Sequence, residues 1–450
     1  MSYEHFDVFV IGTGTAGKQV ATQCAREGLK VAIADHREYG GTCPNRGCDP
    51  KKVLVNASEL IARTTDLHQA GITEVSSINW AALQEFKKKF VSAVPIKTEE
   101  KLKDLGIKLY HQSPQFLEEN LLIVEGKKVT ADKIVIATGR IPRPLHFEGA
   151  QYLLDSDDFL NLKELPDSMI FIGAGYVAME FAHIAARCGV EVTVIERGDR
   201  ILKLFDESIA SHLQKVSEEI GIKFLFNAQV SGAEELRKNI RVQYEQAGET
   251  GFAKAEQVYN TSGRVPATEA LDLEKGKVKS SPRGVTVNSY LQSVSNPSVY
   301  ACGDVADTQA LPLTPLSGLE GNHVAKQILS KKHSAIHYPP IPTSVYTQPQ
   351  LASVGLSEAQ AKAQKIEYTI KEEHVPDWFS VKRLNTEDYC YKTLVSKEEE
   401  RILGVELLAP EASEMINLFS LAIQMEMTCE QFRSAIFAYP TFGSDAQSMI

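Results

Sequence analysis

Asp7-Val8-Phe9-Val10-Ile11-Gly12-Thr13-Gly14-Thr15-Ala16-Gly17 decides how the chain begins to fold. The apolar run at residues 7–11 reads as a short buried strand that stops at Gly12. The spacing G-x-G-x-x-G follows at once, and a helix is predicted from about residue 14 to residue 28. Lys30-Val31-Ala32-Ile33-Ala34-Asp35 then reads as a second buried strand. In such a β-α-β unit each glycine has its own task. Gly12 permits the tight turn, Gly14 lets the backbone approach a pyrophosphate, and Gly17 lets helix and strand pack closely. The helix start offers free N–H groups and a partial positive charge to phosphates. Asp35 ends the second strand, where a carboxylate accepts from ribose hydroxyls.

The unit recurs. Met169-Ile170-Phe171-Ile172 leads into Gly173-Ala174-Gly175-Tyr176-Val177-Ala178, with alanine in the third glycine's place, and residues 191–196 close the second copy on Glu196. Two copies predict two separate nucleotide folds. Glu196 favours a ribose with a free 2′-hydroxyl, whereas Arg197, Arg200 and Lys203 favour a 2′-phosphate, so the signals conflict. Residues 133–137 form another buried strand ending in Thr138-Gly139-Arg140-Ile141-Pro142. A similar turn returns at Gly263-Arg264-Val265-Pro266, and both read as crossovers between domains. Beyond Tyr338-Pro339-Pro340, strand-like alternation and two helical stretches make a third layer.

With 450 residues, 43% hydrophobic and 24% charged, the chain has the composition of a multidomain globular protein. A net charge of −10 argues against nucleic-acid binding. No apolar run approaches membrane-spanning length, and the first residues carry no secretory pattern, so a cytoplasmic protein without a membrane partner is expected. Seven scattered cysteines make no disulfide framework.

Two of them stand out in Gly40-Gly41-Thr42-Cys43-Pro44-Asn45-Arg46-Gly47-Cys48-Asp49-Pro50-Lys51-Lys52. No second Cys/His pair lies at a workable distance for zinc, so no metal site is expected. The glycines and Pro50 predict a sharp bend and then a helix from Lys51 to about Ala62. A cysteine at a helix start flanked by Arg46 and Lys52 would react as a thiolate. Cys24, Cys188, Cys302, Cys390 and Cys429 read as small buried hydrophobes.

A nucleotide fingerprint, this cysteine motif and a second nucleotide unit together resemble the pyridine nucleotide–disulfide oxidoreductases, over essentially the whole chain. The resemblance implies an α/β fold with two Rossmann-like domains, for FAD and NAD(P), and a C-terminal α+β dimerisation domain. The boundaries expected are 1–143 for FAD, 144–264 for NAD(P), 265–336 for a segment returning to the FAD domain, and 337–450 for dimerisation. It implies FAD as cofactor, held by the first fingerprint with Gly41, Thr42, Thr138 and Gly139, and by Gly303 and Asp304 of Tyr300-Ala301-Cys302-Gly303-Asp304-Val305. Leu313 and Thr314 begin the helix that faces the flavin. Lys52 and Glu180 match the ion pair beside the flavin, and Tyr176 matches the gate that moves aside for nicotinamide. Gly173, Gly175, Val177, Glu196, Arg197, Lys203 and Gly263 fall to the nicotinamide coenzyme, NADPH or NADH, with a narrow lean to NADPH. Cys48 is expected to hold the thiolate facing the flavin and Cys43 to attack a small-molecule disulfide, in a homodimer.

The C-terminus departs from the family pattern. Disulfide-reducing members carry His-Pro-Thr-x-x-Glu, and this chain has Tyr439-Pro440-Thr441-Phe442-Gly443-Ser444, with Asp445 one place out. A phenol near pKa 10 is a poor base beside an imidazole near 6.5. Tyr439 is therefore either a replacement catalytic group or an interface residue. The substitution also opens an alternative, a reductase of a metal ion, quinone or other electron acceptor, similar to mercuric reductase. Arg46 and Asp49 stand where relatives usually have apolar residues, and Arg46 is expected to steady a thiolate.

Overall fold

The strand predicted at residues 7–11 extends over Glu4–Ile11 and lies inside a seven-stranded sheet. Val31–Ala34 pairs with it on one side and Lys127–Ile136 on the other, both parallel, and Lys108–Tyr110 continues the parallel set beyond Val31–Ala34. Besides Glu4–Ile11, Lys127–Ile136 serves two further partners along its length. Its first half pairs antiparallel with Leu121–Val124, and its last three residues pair parallel with Val299–Ala301. Val8, Phe9, Val10, Ile134, Val135 and Ile136 are fully buried. The strands therefore read as continuous apolar runs, as a sheet covered on both faces requires.

Register makes the site. Ile11 pairs with Ala34 and with Ile136, and Ile136 pairs with Ala301. Gly12, Asp35, Thr138 and Gly303, which follow these strand ends, thus leave the sheet at one carboxyl edge. That is the edge where open α/β sheets bind ligands.

The computed structural model describes residues 3–308 and 310–450, in two units. The first comprises residues 3–51, 85–143 and 264–338, and the second residues 52–84, 144–263 and 339–450. In the first unit the two Gly-Arg-x-Pro turns become short strands, Arg140–Pro142 and Arg264–Pro266, which pair antiparallel with each other.

In the second unit Ser168–Ile172 lies within a four-stranded parallel sheet, with Glu191–Ile195 and then Lys223–Leu225 on one side and Gln257–Asn260 on the other. A three-stranded antiparallel meander spans Ala228–Glu235, Ile240–Gln246 and Glu249–Ala255. The C-terminal part is a five-stranded antiparallel sheet built from Thr343–Val345, Gln350–Gly355, Ile402–Ala409, Cys390–Ser396 and Tyr368–His374. Helix Ala412–Gln424 buries Met415, Ile416 and Phe419 in one core with Val405, Leu407 and Tyr391. No helix among the described residues is long and apolar enough to cross a membrane.

Candidate active site

Backbone approach fixes the first glycine turn. Gly12 has φ +109°, and a Cβ there would lie 2.2 Å from the Ala137 carbonyl oxygen. A Cβ on Gly17 would lie 2.0 Å from the Gly12 carbonyl, so helix Thr15–Arg26 reaches the sheet only with glycine at that place. Gly14 caps this helix without a side-chain hydrogen bond, which leaves the first-turn N–H groups to a ligand. Asp35 braces the turn: Oδ2 accepts from Thr13 N–H (2.8 Å) and Thr13 Oγ1 (2.6 Å), and Oδ1 accepts from Arg37 N–H (3.1 Å). Gly41, at φ +81°, roofs the turn so closely that a Cβ would lie 2.4 Å from Gly14 Cα.

Gly303 and Asp304 stand at the same edge. Burial pushes the Asp304 carboxyl above the usual carboxylate range, offset in part by the Ser317 hydroxyl, which donates to Oδ1 at 3.2 Å. Arg140 Nε donates to the Asp304 carbonyl at 2.9 Å. Thr138 Oγ1 is buried and has no hydrogen-bond partner among the described residues. A glycine cradle without side chains, an open helix start and an orphaned hydroxyl at one sheet edge fit the flavin dinucleotide.

The dithiol lies in the same unit, and here the sequence expectation needs adjustment. Cys43 sits on its own short turn, Thr42–Arg46, and the following helix starts at Cys48 itself and runs to Asp66. Pro50 falls within the first helical turn, where its missing N–H costs nothing. Between the turns, a Cβ on Gly47 would lie 3.0 Å from the Thr42 carbonyl and 3.2 Å from Cys43 Cα, so glycine lets them close on each other. All seven cysteines are free thiols.

The two sulfurs are unlike. The hydrogen bond from Cys43 draws the Cys48 thiol down to about 6 against the opposing effect of burial, helped by Thr314 and Lys51. Cys43 is pushed far above the ordinary thiol range, first by holding that proton and then by burial. Thr314, first residue of helix Thr314–Leu329, places Oγ1 3.6 Å from Cys48 Sγ. This contact and Lys51 are what the sequence reading missed. Arg46 directs Nη1 to Glu38 Oε2 at 2.9 Å.

In the second unit, Lys52 and Glu180 meet at a residue the sequence did not single out. Lys52 Nζ lies 3.8 Å from the Tyr346 ring centre, and Glu180 Oε1 accepts the Tyr346 N–H at 2.9 Å. Glu180 is buried, while Tyr176, first residue of helix Tyr176–Arg187, is half exposed. Gly173 has φ +100° and no room for a Cβ, which would lie 2.8 Å from Ser262 Cα and from the Thr261 carbonyl; Gly263 has φ +122°. Gly175 faces open space, with Val177 two residues on in the same helix. Glu196 Oε2 accepts from Ala174 N–H (2.9 Å) and Oε1 from Gly198 N–H (2.7 Å). Lys203 pairs with Asp199 at 3.1 Å, Arg200 donates to the carbonyls of Phe205 and Lys203, and Arg197 is exposed.

Tyr439 is 80% exposed, and near it Ile436 is 99% exposed. Ser444, in the place of the family's glutamate, closes a capping box with Thr441. Asp445 accepts from the Tyr389 hydroxyl at 3.4 Å, so the neighbouring acid is engaged inward.

Comparison with known proteins agrees with this geometry. Residues 6–337 match the family described as pyridine nucleotide-disulphide oxidoreductase, and residues 341–450 match its dimerisation domain. Dihydrolipoyl dehydrogenase of Geobacillus stearothermophilus is 33% identical over 98% of this chain and 94% of its own. Glutathione reductase of Burkholderia cepacia is 32% identical over 98% and 97%. The HOCl-induced flavoprotein disulfide reductase RclA from Escherichia coli, also solved as a Cu(II) complex, superposes with a TM-score of 0.87 at 26% identity over 98% of this chain and 99% of that one. The chain belongs to the pyridine nucleotide-disulphide oxidoreductases, FAD-dependent enzymes that use NAD(P)H to act on sulfur groups.

Proposed function

We propose that this enzyme reduces a low-molecular-weight disulfide with electrons from a nicotinamide coenzyme, through the Cys43–Cys48 pair. The observation that carries this reading is the unequal placement of the two sulfurs. Cys48 opens helix Cys48–Asp66 with Thr314 Oγ1 3.6 Å away, which favours its thiolate, while Cys43 stands on the preceding turn and keeps its proton. FAD, when bound, supplies two-electron transfer between the coenzyme and the dithiol. Gly12, Gly14, Gly17, Asp35, Gly41, Thr42, Thr138, Gly139, Gly303, Asp304 and Leu313 would hold it. The sequence boundaries given above remain the proposed domain division.

Each remaining role belongs to the chain's own groups. Thr314 and the positive end of its helix hold charge on Cys48. Glu180 and Lys52 fix Tyr346, Gly175 leaves an open face for the coenzyme, and Tyr176, half exposed at the start of the same helix, would be the gate to it. Cys43 attacks the substrate disulfide, and Cys48 then resolves the mixed disulfide. The thiolate is the attacking form, so the proton on Cys43 must leave as it reacts.

For the coenzyme, the geometry turns the narrow lean towards NADPH into a proposal for NADH. A carboxylate fixed by Ala174 and Gly198 would accept from a ribose hydroxyl and repel a 2′-phosphate, while Lys203 is drawn to Asp199. Tyr439 and Ile436 support a C-terminal surface covered in a homodimer, and seven thiols without a disulfide framework support the cytoplasm. The relatives named for sulfur chemistry do not favour the metal-ion or quinone alternative. Turnover of a panel of disulfides (oxidised glutathione, lipoamide and an aromatic disulfide) by wild type and Cys43→Ser tests the reading. Loss of on the order of 10³-fold or more is expected, as for removal of a covalent nucleophile. Undiminished turnover in Cys43→Ser would overturn it.

A further inference from the structure

The family's C-terminal histidine is absent, yet the Cys43 proton must move in each turnover. Tyr439 is an exposed phenol, Ser444 is engaged in a helix cap, and Asp445 is held by Tyr389. Beside the sulfur itself stands another acid. The Cys43 sulfur lies 3.9 Å from Asp49 Oδ1, within reach of a long S–H···O contact once its proton turns from Cys48. Asp49 sits one residue into helix Cys48–Asp66, so the turn that presents Cys48 also presents this carboxylate to Cys43. We propose that Asp49 is the acid–base catalytic residue for Cys43 and serves in the place of the missing histidine. This rests on the disulfide-reductase reading above.

The surroundings suit the role. Lys51 on the same helix acts on Cys48, and Thr314 contacts the Cys48 sulfur. Lys18, on helix Thr15–Arg26, feels the charges of both Cys43 and Asp49 and donates to the Gly40 carbonyl at 3.3 Å. Arg46, on the Cys43 turn, is directed to Glu38. Lys18 and Lys51 thus bring positive charge to a pair that must carry one negative charge through the reaction.

The step balances. As Cys43 Sγ attacks one sulfur of the substrate, its proton passes to the Asp49 carboxylate. A Cys43–substrate S–S bond forms, the substrate S–S bond breaks, and the electron pair leaves on the departing sulfur. The protonated Asp49 returns its proton to that sulfur. The Cys48 thiolate then attacks Cys43 Sγ, restores the Cys43–Cys48 disulfide and expels the second sulfur, which takes a proton from water. The two electrons are those the coenzyme delivered earlier.

A leaving sulfur with a low pKa needs no proton, whereas an alkyl thiolate does, and this separates catalysis from structural damage. The test is single-turnover reoxidation of the reduced holoenzyme by 4,4′-dithiodipyridine and by bis(2-hydroxyethyl) disulfide. The proteins compared are wild type, Asp49→Asn, Asp49→Glu, Tyr439→Phe and Cys43→Ser. General acid–base catalysis contributes about 10²–10⁴-fold, so Asp49→Asn should lose on the order of 10² more rate with the alkyl disulfide than with the aromatic one. Asp49→Glu should recover part of that difference. Equal losses with both disulfides, no loss with either, or the selective loss appearing in Tyr439→Phe instead would overturn the assignment of Asp49. If Cys43→Ser reoxidises as fast as wild type, the underlying dithiol reading fails, a result distinct from the other three.

Discussion

At the first glycine turn Asp35 Oδ2 accepts the Thr13 N–H and Oδ1 that of Arg37; at the second, Glu196 Oε2 accepts the Ala174 N–H and Oε1 that of Gly198. The acid at the end of the second strand thus braces the same two backbone positions in both copies. The difference lies in what covers the middle glycine. Gly14 is roofed by Gly41, where a Cβ would lie 2.4 Å from Gly14 Cα, whereas Gly175 has nothing within 4 Å of its Cβ position among the described residues. On the proposed assignment, the roofed turn would hold a group that stays, and the open turn would receive one that arrives and departs in each turnover. One sequence motif serves both uses because residency is decided by a loop outside it.

Breaking the roof should have the largest effect. Gly41→Ala places a side chain at φ +81° against Gly14 Cα. Left-handed backbone alone costs about 1–2 kcal/mol for a non-glycine residue, and the close contact adds to it. The purified variant should lose most of its 450 nm absorbance, while Gly175→Ala should keep it and weaken coenzyme binding. If both variants retain flavin equally, the contrast between roofed and open turns is wrong.

The paired acids offer a sharper test. Glu196→Ala should shift the ratio of kcat/KM for NADH over NADPH towards NADPH by roughly 10- to 100-fold, the value of a hydrogen bond to a charged group. No shift in steady-state kinetics with the two coenzymes would show that Glu196 only braces its own loop.

The smallest change concerns the dithiol that the first turn serves. Thr314→Val removes one partner of the Cys48 sulfur and should raise its titration from about 6 by about one pH unit, equivalent to ~1.4 kcal/mol. The sign follows from the depressed value: ionisation of Cys48 is present above about 6 and lost as pH falls through it. Alkylation rates of the reduced protein measured against pH report the shift directly. An unmoved profile would mean that Thr314 does not bear on the thiolate.

Much of this was legible in the chain because glycine spacing is local. Strand, turn, helix and terminal acid lie within one stretch, and backbone sterics leave little choice at Gly12 and Gly17. The cysteine motif is legible in the chain, but its spacing places the helix start at Lys51, three residues late, because Pro50 suits the first helical turn as well as the bend before it. Contacts that depend on register were not legible from the residues. Thr314 reaches Cys48 across 266 residues, and Tyr346 joins Lys52 to Glu180 across the chain. The bond from Arg46 to Glu38 was likewise outside the reach of the sequence, since charge adjacency gave no hint of it.

The central claim is that electrons from the coenzyme reach the Cys43–Cys48 pair and that the charge settles on Cys48. An anaerobic titration with NADH, and separately NADPH, following the visible spectrum of wild type and Cys43→Ser against pH, tests it most directly. A long-wavelength thiolate–flavin absorption in the wild type, fading as pH falls through about 6 and reached more readily with NADH, is the expected result. Simple bleaching at every pH, with no such band, would contradict the account.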